Sequence, residues 1–205
     1  MHWIKREYGQ VGTFFTGGFS RMLKMTAIAF AVLMVIGFIG AFAFPDTAQS
    51  FLSRFTDSMQ SAGVTVSDGR INPLALFFNN LRATFYTLLY GLIPFIYLPT
   101  LALGTNAILL GVVAAGIFQN GMSAAYFFVG ILPHGIFELP ALVVSIALGL
   151  YLCSKITGAL RQKSKGVIIP AINEAMRVMI LFCLPLLALA AVVEAYLTPV
   201  LLHLI

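Results

Sequence analysis

The feature that most constrains this chain is a set of apolar runs long enough to cross a lipid bilayer. The first of them, residues 25–44, reads MTAIAFAVLMVIGFIGAFAF and is followed by Pro45 and Asp46. A transmembrane helix needs about 20 such residues to cross roughly 30 Å of hydrocarbon. Because a segment in lipid has to satisfy its own backbone hydrogen bonds, each of these runs is predicted to be a helix.

The composition agrees with a membrane protein, since 60% of the 205 residues are hydrophobic and only 9% are charged. This leaves too little polar sequence for a separate soluble catalytic domain, which usually takes about 100 residues. We therefore predict an all-α, polytopic transmembrane helix bundle, in which residues 25–205 form a single transmembrane domain. We expect neither enzymatic activity nor a cofactor.

The formal net charge of +5 is explained by where the basic residues lie. Eight of the twelve are in two segments, before the first apolar run and in a later loop at 154–170. Short cytoplasmic segments of membrane proteins are enriched in Lys and Arg. The charge therefore predicts a multi-pass protein of the plasma membrane with a cytoplasmic N-terminus, and not a nucleic-acid-binding protein.

The polar segments have separate predicted roles. Residues 1–24 combine aromatic, basic and glycine residues, which favours a cytoplasmic interfacial helix in contact with the bilayer surface and broken at the glycines. Residues 46–72 are the only long polar stretch and are predicted to be an external loop, with a short amphipathic helix at 47–60.

The apolar runs predict about five spans. Residues 122–132 are too short to cross and are predicted to be a half-helix or re-entrant segment. Residues 194–205 are predicted to form a membrane-surface or partly re-entrant tail. A sixth span, made by extending either of these pieces, is the alternative. The five predicted spans lie at 25–44, 73–99, 100–119, 134–153 and 173–193.

Small residues are dense in 104–116 and 141–149, and small faces let membrane helices approach closely. We expect these two spans to form the tight centre of the bundle; the alternative is that glycine is simply common in membrane helices. A thin bundle of this kind predicts a homo-oligomer, with a homodimer the first choice. Cys153 and Cys183 lie in or at the end of apolar runs, so no disulfide is predicted.

Between Pro73 and Ser154 the acidic, basic and histidine side chains are limited to Arg82, His134 and Glu138. Such groups are costly at bilayer depth, which makes a functional site the default hypothesis. His134 and Glu138 are four residues apart in a helix predicted to open at Pro133, so they share one face. They form either a proton-responsive or substrate-binding pair, or a structural clasp that fixes the start of the helix.

Other polar residues of the apolar segments are candidates for the same intramembrane cluster, namely Asn79, Asn80, Asn106 and Glu194. Arg82 is predicted to pair with Glu138 or Glu194, and the alternative is that its guanidinium reaches the outer interface alone. Zinc needs three or four ligands, and the segment HGIFE lacks the second histidine of the H-E-x-x-H pattern. Glu194 and His203 are distant in sequence, so no metal site is predicted.

Four segments of the chain together resemble one known family: FFNNLRATFYTLLYGLIP, GTNAILLG, ILPHGIFELPAL and VVEAYLTP. They are similar, in order and spacing, to the family of the stage II sporulation protein M, over about residues 72–200. The family consists of small polytopic membrane proteins without an assigned catalytic mechanism. In spore formers its namesake works with wall-degrading proteins during engulfment.

The resemblance implies a non-catalytic membrane component of a multiprotein complex, with other membrane or cell-wall proteins as partners. The buried polar residues favour a second function, a permease or channel-like subunit that uses a His/Glu/Asn/Arg cluster for transport. An intramembrane metallohydrolase is a third hypothesis, disfavoured by the number of ligands. The sequence leaves the first two open.

Overall fold

The computed structural model describes residues 2–65 and 70–204, with only the backbone described for residues 2–4 and Lys165. Residues 66–69 of the predicted external loop lie outside the described residues. The described chain is almost entirely helical, which confirms the predicted all-α class. Its helices are α1 (His2–Thr16), α2 (Phe19–Ala43), α3 (Pro45–Ser61), α4 (Pro73–Tyr90), α5 (Pro99–Gln119), α6 (Ala124–Arg161), α7 (Ile168–Val178), α8 (Leu184–Val192) and α9 (Thr198–Leu202).

Four stretches are long and apolar enough to cross a membrane: α2, α5, α6 and the helical run from Ile168 to Leu202. Helices α2 and α5 are parallel neighbours, because Phe30 packs with Leu103 while the Gln119 side chain donates to the Ala41 carbonyl at 3.1 Å. Two parallel spans require the chain between them to cross back. The 18-residue helix α4 runs back between them and is a candidate for a fifth crossing segment.

Glycine residues allow neighbouring helices to approach closely, as Gly111 and Gly149 show. A Cβ atom on Gly111 would meet the Met34 carbonyl and approach Phe38 N to 2.7 Å, so α5 touches the backbone of α2 there. A Cβ atom on Gly149 would lie 2.6 Å from the Thr87 carbonyl, so α6 touches α4 in the same way. The two small-residue segments are therefore tightly packed, but each against another helix and not mainly against the other.

Helix α6 corrects one prediction. The expected half-helix at 122–132 and the span at 134–153 form one helix, Ala124–Arg161, that contains both Pro133 and Pro140. Its 38 residues extend over about 57 Å, more than the hydrocarbon thickness. Proline is tolerated inside membrane helices because neighbouring groups satisfy the freed backbone. Pro133 therefore does not open a helix here.

The tail prediction is also wrong, because residues 168–202 continue as one helical run with two π-helical turns, Met179–Cys183 and Val193–Leu197. Each π turn lies just before a proline, Pro185 or Pro199. A proline has no N–H and its ring clashes with the carbonyl four residues earlier, and a π turn relieves this by adding one residue. The carbonyl of Leu181, four residues before Pro185, accepts a hydrogen bond from the Tyr8 hydroxyl at 3.4 Å.

The N-terminal segment is helical as predicted, but it is interrupted only at Gly17 and Gly18, while Gly9 and Gly12 lie inside α1. Phe19 already belongs to α2 and is buried against Phe14 and Tyr151, with ring centroids 4.6 and 5.9 Å away. The predicted amphipathic helix at 47–60 is confirmed as α3. Both cysteines are free and buried.

Candidate functional site

Helices α4, α6 and the second π turn bring four polar side chains together in the half of the bundle opposite the basic loop. His134 of α6 faces Glu194, with Nδ1 and Oε2 2.5 Å apart and side chains 18% and 20% exposed. Glu194 belongs to the π turn Val193–Leu197, and π turns occur frequently at functional sites. The two residues lie 60 positions apart in sequence and meet because the last helical run is antiparallel to α6.

Glu138 and Asn80 complete this group. Glu138 lies one turn after His134, within electrostatic range of both His134 and Glu194, and its carboxyl group faces the Asn80 side chain. We call Asn80, His134, Glu138 and Glu194 the far-end cluster. It contains two acids for one imidazole.

The far-end cluster is incompletely satisfied. Asn80 Nδ2, His134 Nδ1 and Glu194 Oε2 are buried atoms with no hydrogen bond of good geometry among the described residues. The His134 imidazole and the Glu194 carboxylate are nonetheless in close polar contact. Buried polar atoms in this state are costly, and they call for a specific explanation.

Three of the predicted site residues lie outside this cluster. Asn79 directs its amide to Met59 Sδ at 3.9 Å, and Asn106 donates to the Ala102 carbonyl of its own helix at 2.8 Å. Arg82 is exposed, with its guanidinium 5.9 Å from the Tyr86 ring centroid. In the described part of the chain Arg82 makes no ion pair, so its predicted salt bridge with Glu138 or Glu194 is not formed.

Glu194 does reach His134, although the two are remote in sequence, whereas His203 lies exposed beyond the end of α9. Among residues 2–65 and 70–204, no group of three or more His, Cys, Asp or Glu side chains is arranged to hold a metal ion.

A second set of charged residues, which the sequence reasoning missed, lies at the end of the bundle that carries Lys155, Arg161 and Lys163. Glu7 of α1 accepts a hydrogen bond from Arg177 Nε of α7 at 2.7 Å, and its other oxygen accepts one from Arg6 at 3.2 Å. We call the Glu7–Arg177 pair the basic-end tether. The hydrogen bond from Arg177 is the main reason that the pKa of Glu7 lies below its ordinary value of 4.5.

Helix α7 carries a second satisfied acid beside the tether. The Tyr151 hydroxyl donates to Glu174 Oε2 at 2.8 Å, and Lys155 Nζ lies 5.3 Å from the Tyr151 ring centroid. Glu174 and Arg177 are three residues apart and so share one face of α7. That spacing in the amphipathic helix α7 was a visible signal, but their partners Glu7 and Tyr151 come from other helices and could not be assigned.

A cavity of about 610 Å³ lies between α1 and α7 at this end. It combines amide, hydroxyl, charged and aromatic side chains with the backbone of the Gly17–Gly18 turn. Its lining residues are Gln10, Thr13, Phe14, Gly17, Gly18, Phe19, Pro170, Asn173, Glu174 and Arg177.

The comparison with known families agrees with the arrangement of helices. The model of the family described as Stage II sporulation protein M matches residues 26–199, well over half of the 205 residues. No curated protein and no solved structure gives a significant match. The matched range includes every residue of the far-end cluster and excludes α1. The chain therefore belongs to the Stage II sporulation protein M family.

Proposed function

We propose that the protein is a non-catalytic component of a multiprotein complex in the plasma membrane, and that α1 is the surface it offers to partners. In a spore-forming cell this complex acts in cell-wall remodelling during engulfment. Membership of the Stage II sporulation protein M family supports this function. The observation that carries it is the basic-end tether, which fixes a polar helix against a bundle that is otherwise mostly apolar.

The case for α1 rests on how it is held. Besides the tether, Tyr8 donates to the Leu181 carbonyl at 3.4 Å, and Phe15 packs against Phe182 with ring centroids 5.2 Å apart. These contacts bind one face of α1, while Lys5, Gly12 and Thr16 stay exposed on another. A fixed helix with an exposed polar face can bind a partner without paying the entropy of ordering that helix.

Photocrosslinking in cells tests this function. Benzoylphenylalanine at Gly12, where an added side chain meets no other atom, is expected to form adducts heavier than any homo-oligomer of the chain. Glu7→Gln in the same protein should reduce those adducts, because it removes the charge that holds α1. The matched control carries the crosslinker at exposed Ser164 of the basic loop, where Glu7→Gln should change nothing. Adducts at Gly12 that are absent, or unaffected by Glu7→Gln, would contradict the proposal.

The far-end cluster favours a second candidate, a permease or channel-like subunit. Two acids, an imidazole and an amide with unsatisfied atoms are suited to binding water, a proton or a polar solute inside the membrane. The discriminating property is access to water, since a transport site has to be hydrated from at least one side.

Cysteine labelling distinguishes this second candidate from a closed clasp. In a background lacking Cys153 and Cys183, Asn80→Cys should react with a charged, membrane-impermeant thiosulfonate applied to intact cells. Phe78→Cys on the same helix is the matched control, because Phe78 is 61% exposed on the apolar surface and should stay unlabelled. Equal labelling of both cysteines, or none at Asn80, would argue against a transport site.

The orientation is proposed from the basic residues, with the N-terminus and the 154–170 loop cytoplasmic and the 46–72 loop external. Ser164 and Ser58 are both exposed and suit the same labelling method. A cysteine at Ser58 should react in intact cells and one at Ser164 only after permeabilisation. The reverse pattern would invert the topology.

We also propose a homodimer, since a bundle of about five spans leaves much of its helix surface for association in the membrane. Mass measurement in mild detergent and in nanodiscs should give twice the mass of the chain. A monomer at micromolar protein concentration would exclude the dimer.

A further inference from the structure

The cavity between α1 and α7 is unused by the functions proposed above, yet its volume is that of a ligand site. Its volume of about 610 Å³ lies within the range of roughly 300–1,000 Å³ typical of small-molecule sites. Its walls combine Glu174, Arg177, Asn173 and Gln10 with the half-buried ring of Phe14.

The two charged residues of this cavity are held apart from each other. Glu174 uses Oε2 to accept the Tyr151 hydrogen bond, and Arg177 uses Nε to bind Glu7. Glu174 Oε1 and the terminal Arg177 nitrogens make no hydrogen bond to another described side chain. The cavity therefore offers a free carboxylate oxygen and free guanidinium N–H groups about one helical turn apart.

Both charges lie near one end of a candidate membrane span, since Glu174 and Arg177 fall in the first third of the helical run from Ile168 to Leu202. Charged side chains near the end of a membrane helix can extend to the polar headgroup layer. Helix α1 forms the other wall of the cavity, and its Phe14 contributes an apolar surface.

We propose that this cavity binds the zwitterionic headgroup of an aminophospholipid, which carries a primary ammonium and a phosphodiester. Glu174 and Asn173 accept hydrogen bonds from the ammonium, and Arg177 donates to the phosphate. A purely anionic headgroup would place a negative charge beside Glu174. A choline headgroup has no N–H group to donate to it. The primary amine is therefore the part of the ligand that the site selects.

Native mass spectrometry of the delipidated full-length protein tests this site. Phosphatidylethanolamine, phosphatidylcholine and phosphatidylglycerol with identical acyl chains are added in turn. The expected result is preferential retention of phosphatidylethanolamine. Glu174→Gln should lower that preference about tenfold, since a hydrogen bond to a charged group is lost. Asn173→Ala, a change at an exposed residue that leaves the packing intact, should lower it by a smaller factor.

Arg161→Gln is the matched control, because Arg161 lies at the same end but outside the cavity, with its guanidinium 5.7 Å from the Phe95 ring centroid. It should leave the lipid preference unchanged. Equal retention of the three lipids would overturn the proposal, as would equal effects of Glu174→Gln and Arg161→Gln. Displacement of the lipid by an equal concentration of soluble phosphoethanolamine would overturn its assignment to a lipid.

Discussion

The two ends of the bundle hold their charged side chains in opposite ways. At the basic end, Glu7 has Arg177 at 2.7 Å and Glu174 has Tyr151 at 2.8 Å, so each acid receives a well-directed hydrogen bond. At the far end, Glu138 and Glu194 share one imidazole, and three buried polar atoms lack a well-formed hydrogen bond in the described part of the chain.

The difference indicates that the two ends of the bundle have different roles. A pair joined by a well-directed hydrogen bond fixes one geometry, whereas a buried network with atoms left unpaired lowers stability and is expected mainly at sites kept for function. The basic-end tether is therefore an anchor that holds α1, and the far-end cluster is the better candidate for a working intramembrane site. The predictions below separate these two roles.

The largest expected effect comes from Gly111→Leu, which should destabilise the helix bundle that carries both charged sites. The new side chain would collide with the Met34 carbonyl, and α2 would have to move away from α5. We expect a loss of about 3 kcal/mol or more, measured as thermal unfolding in detergent. Gly104→Leu is the control, because nothing lies within 4 Å of a Cβ atom there. Equal stability of the two variants would refute the close α2–α5 contact.

A smaller effect of opposite sign is expected for Glu138→Gln. This change keeps the shape of the side chain but removes one of two acids that share a single imidazole. We expect unfolding stability to rise by about 1 kcal/mol while function in cells is lost. A fall in stability with function retained would show that the far-end cluster is a structural clasp.

Acidification should release α1 without unfolding the bundle. The pKa of folded Glu7 is lowered, so the tether is intact above the ordinary value of 4.5 and is lost as the pH falls through the lower folded value. Trp3 is the only tryptophan and lies in α1, so its fluorescence reports the change. Glu7→Gln should abolish this pH-dependent change in fluorescence. A change that persists in Glu7→Gln would have to come from the titration of another group.

The smallest effect is expected for Arg82→Gln. Arg82 is exposed, and its guanidinium lies 5.9 Å from the Tyr86 ring centroid. Such a contact is worth about 0.5–1 kcal/mol at most, so stability should change by less than about 1 kcal/mol. A loss of unfolding stability as large as that expected for Gly111→Leu would show that Arg82 belongs to a polar network.

Much of the fold could be predicted from the sequence, because the length of each apolar run and the polar residues between the runs determine the helices locally. The run at 25–44 lies within α2 except for its last residue, and the polar stretch at 47–60 lies within α3. The prolines do not follow this rule. Pro133 predicts a helix start, but it lies inside α6, because a membrane helix can continue through proline. The π turns add one residue to a helical turn and leave no local sequence pattern that distinguishes them.

The candidate site was predicted in part. The sequence predicts that polar side chains of the apolar segments cluster, because charged groups in a membrane pair with other polar groups. This prediction includes His134, Glu138, Glu194 and Asn80. Arg82 was expected to join them by the same reasoning, but its position on α4 turns it toward the surface. The basic-end tether was missed because Glu7 and Arg177 are 170 residues apart, one in the predicted interfacial segment 1–24 and the other in the predicted span 173–193.

The central claim is that the Glu7–Arg177 pair holds α1 in one position on the bundle. Spin labels at Gly12 and at Ile169, which is 70% exposed, allow the distance to be measured by pulsed electron paramagnetic resonance, with Cys153 and Cys183 replaced by alanine. We expect one narrow distance distribution, broadened by Glu7→Lys and narrow again when Arg177→Glu is added. A distribution that Glu7→Lys leaves unchanged would contradict the claim.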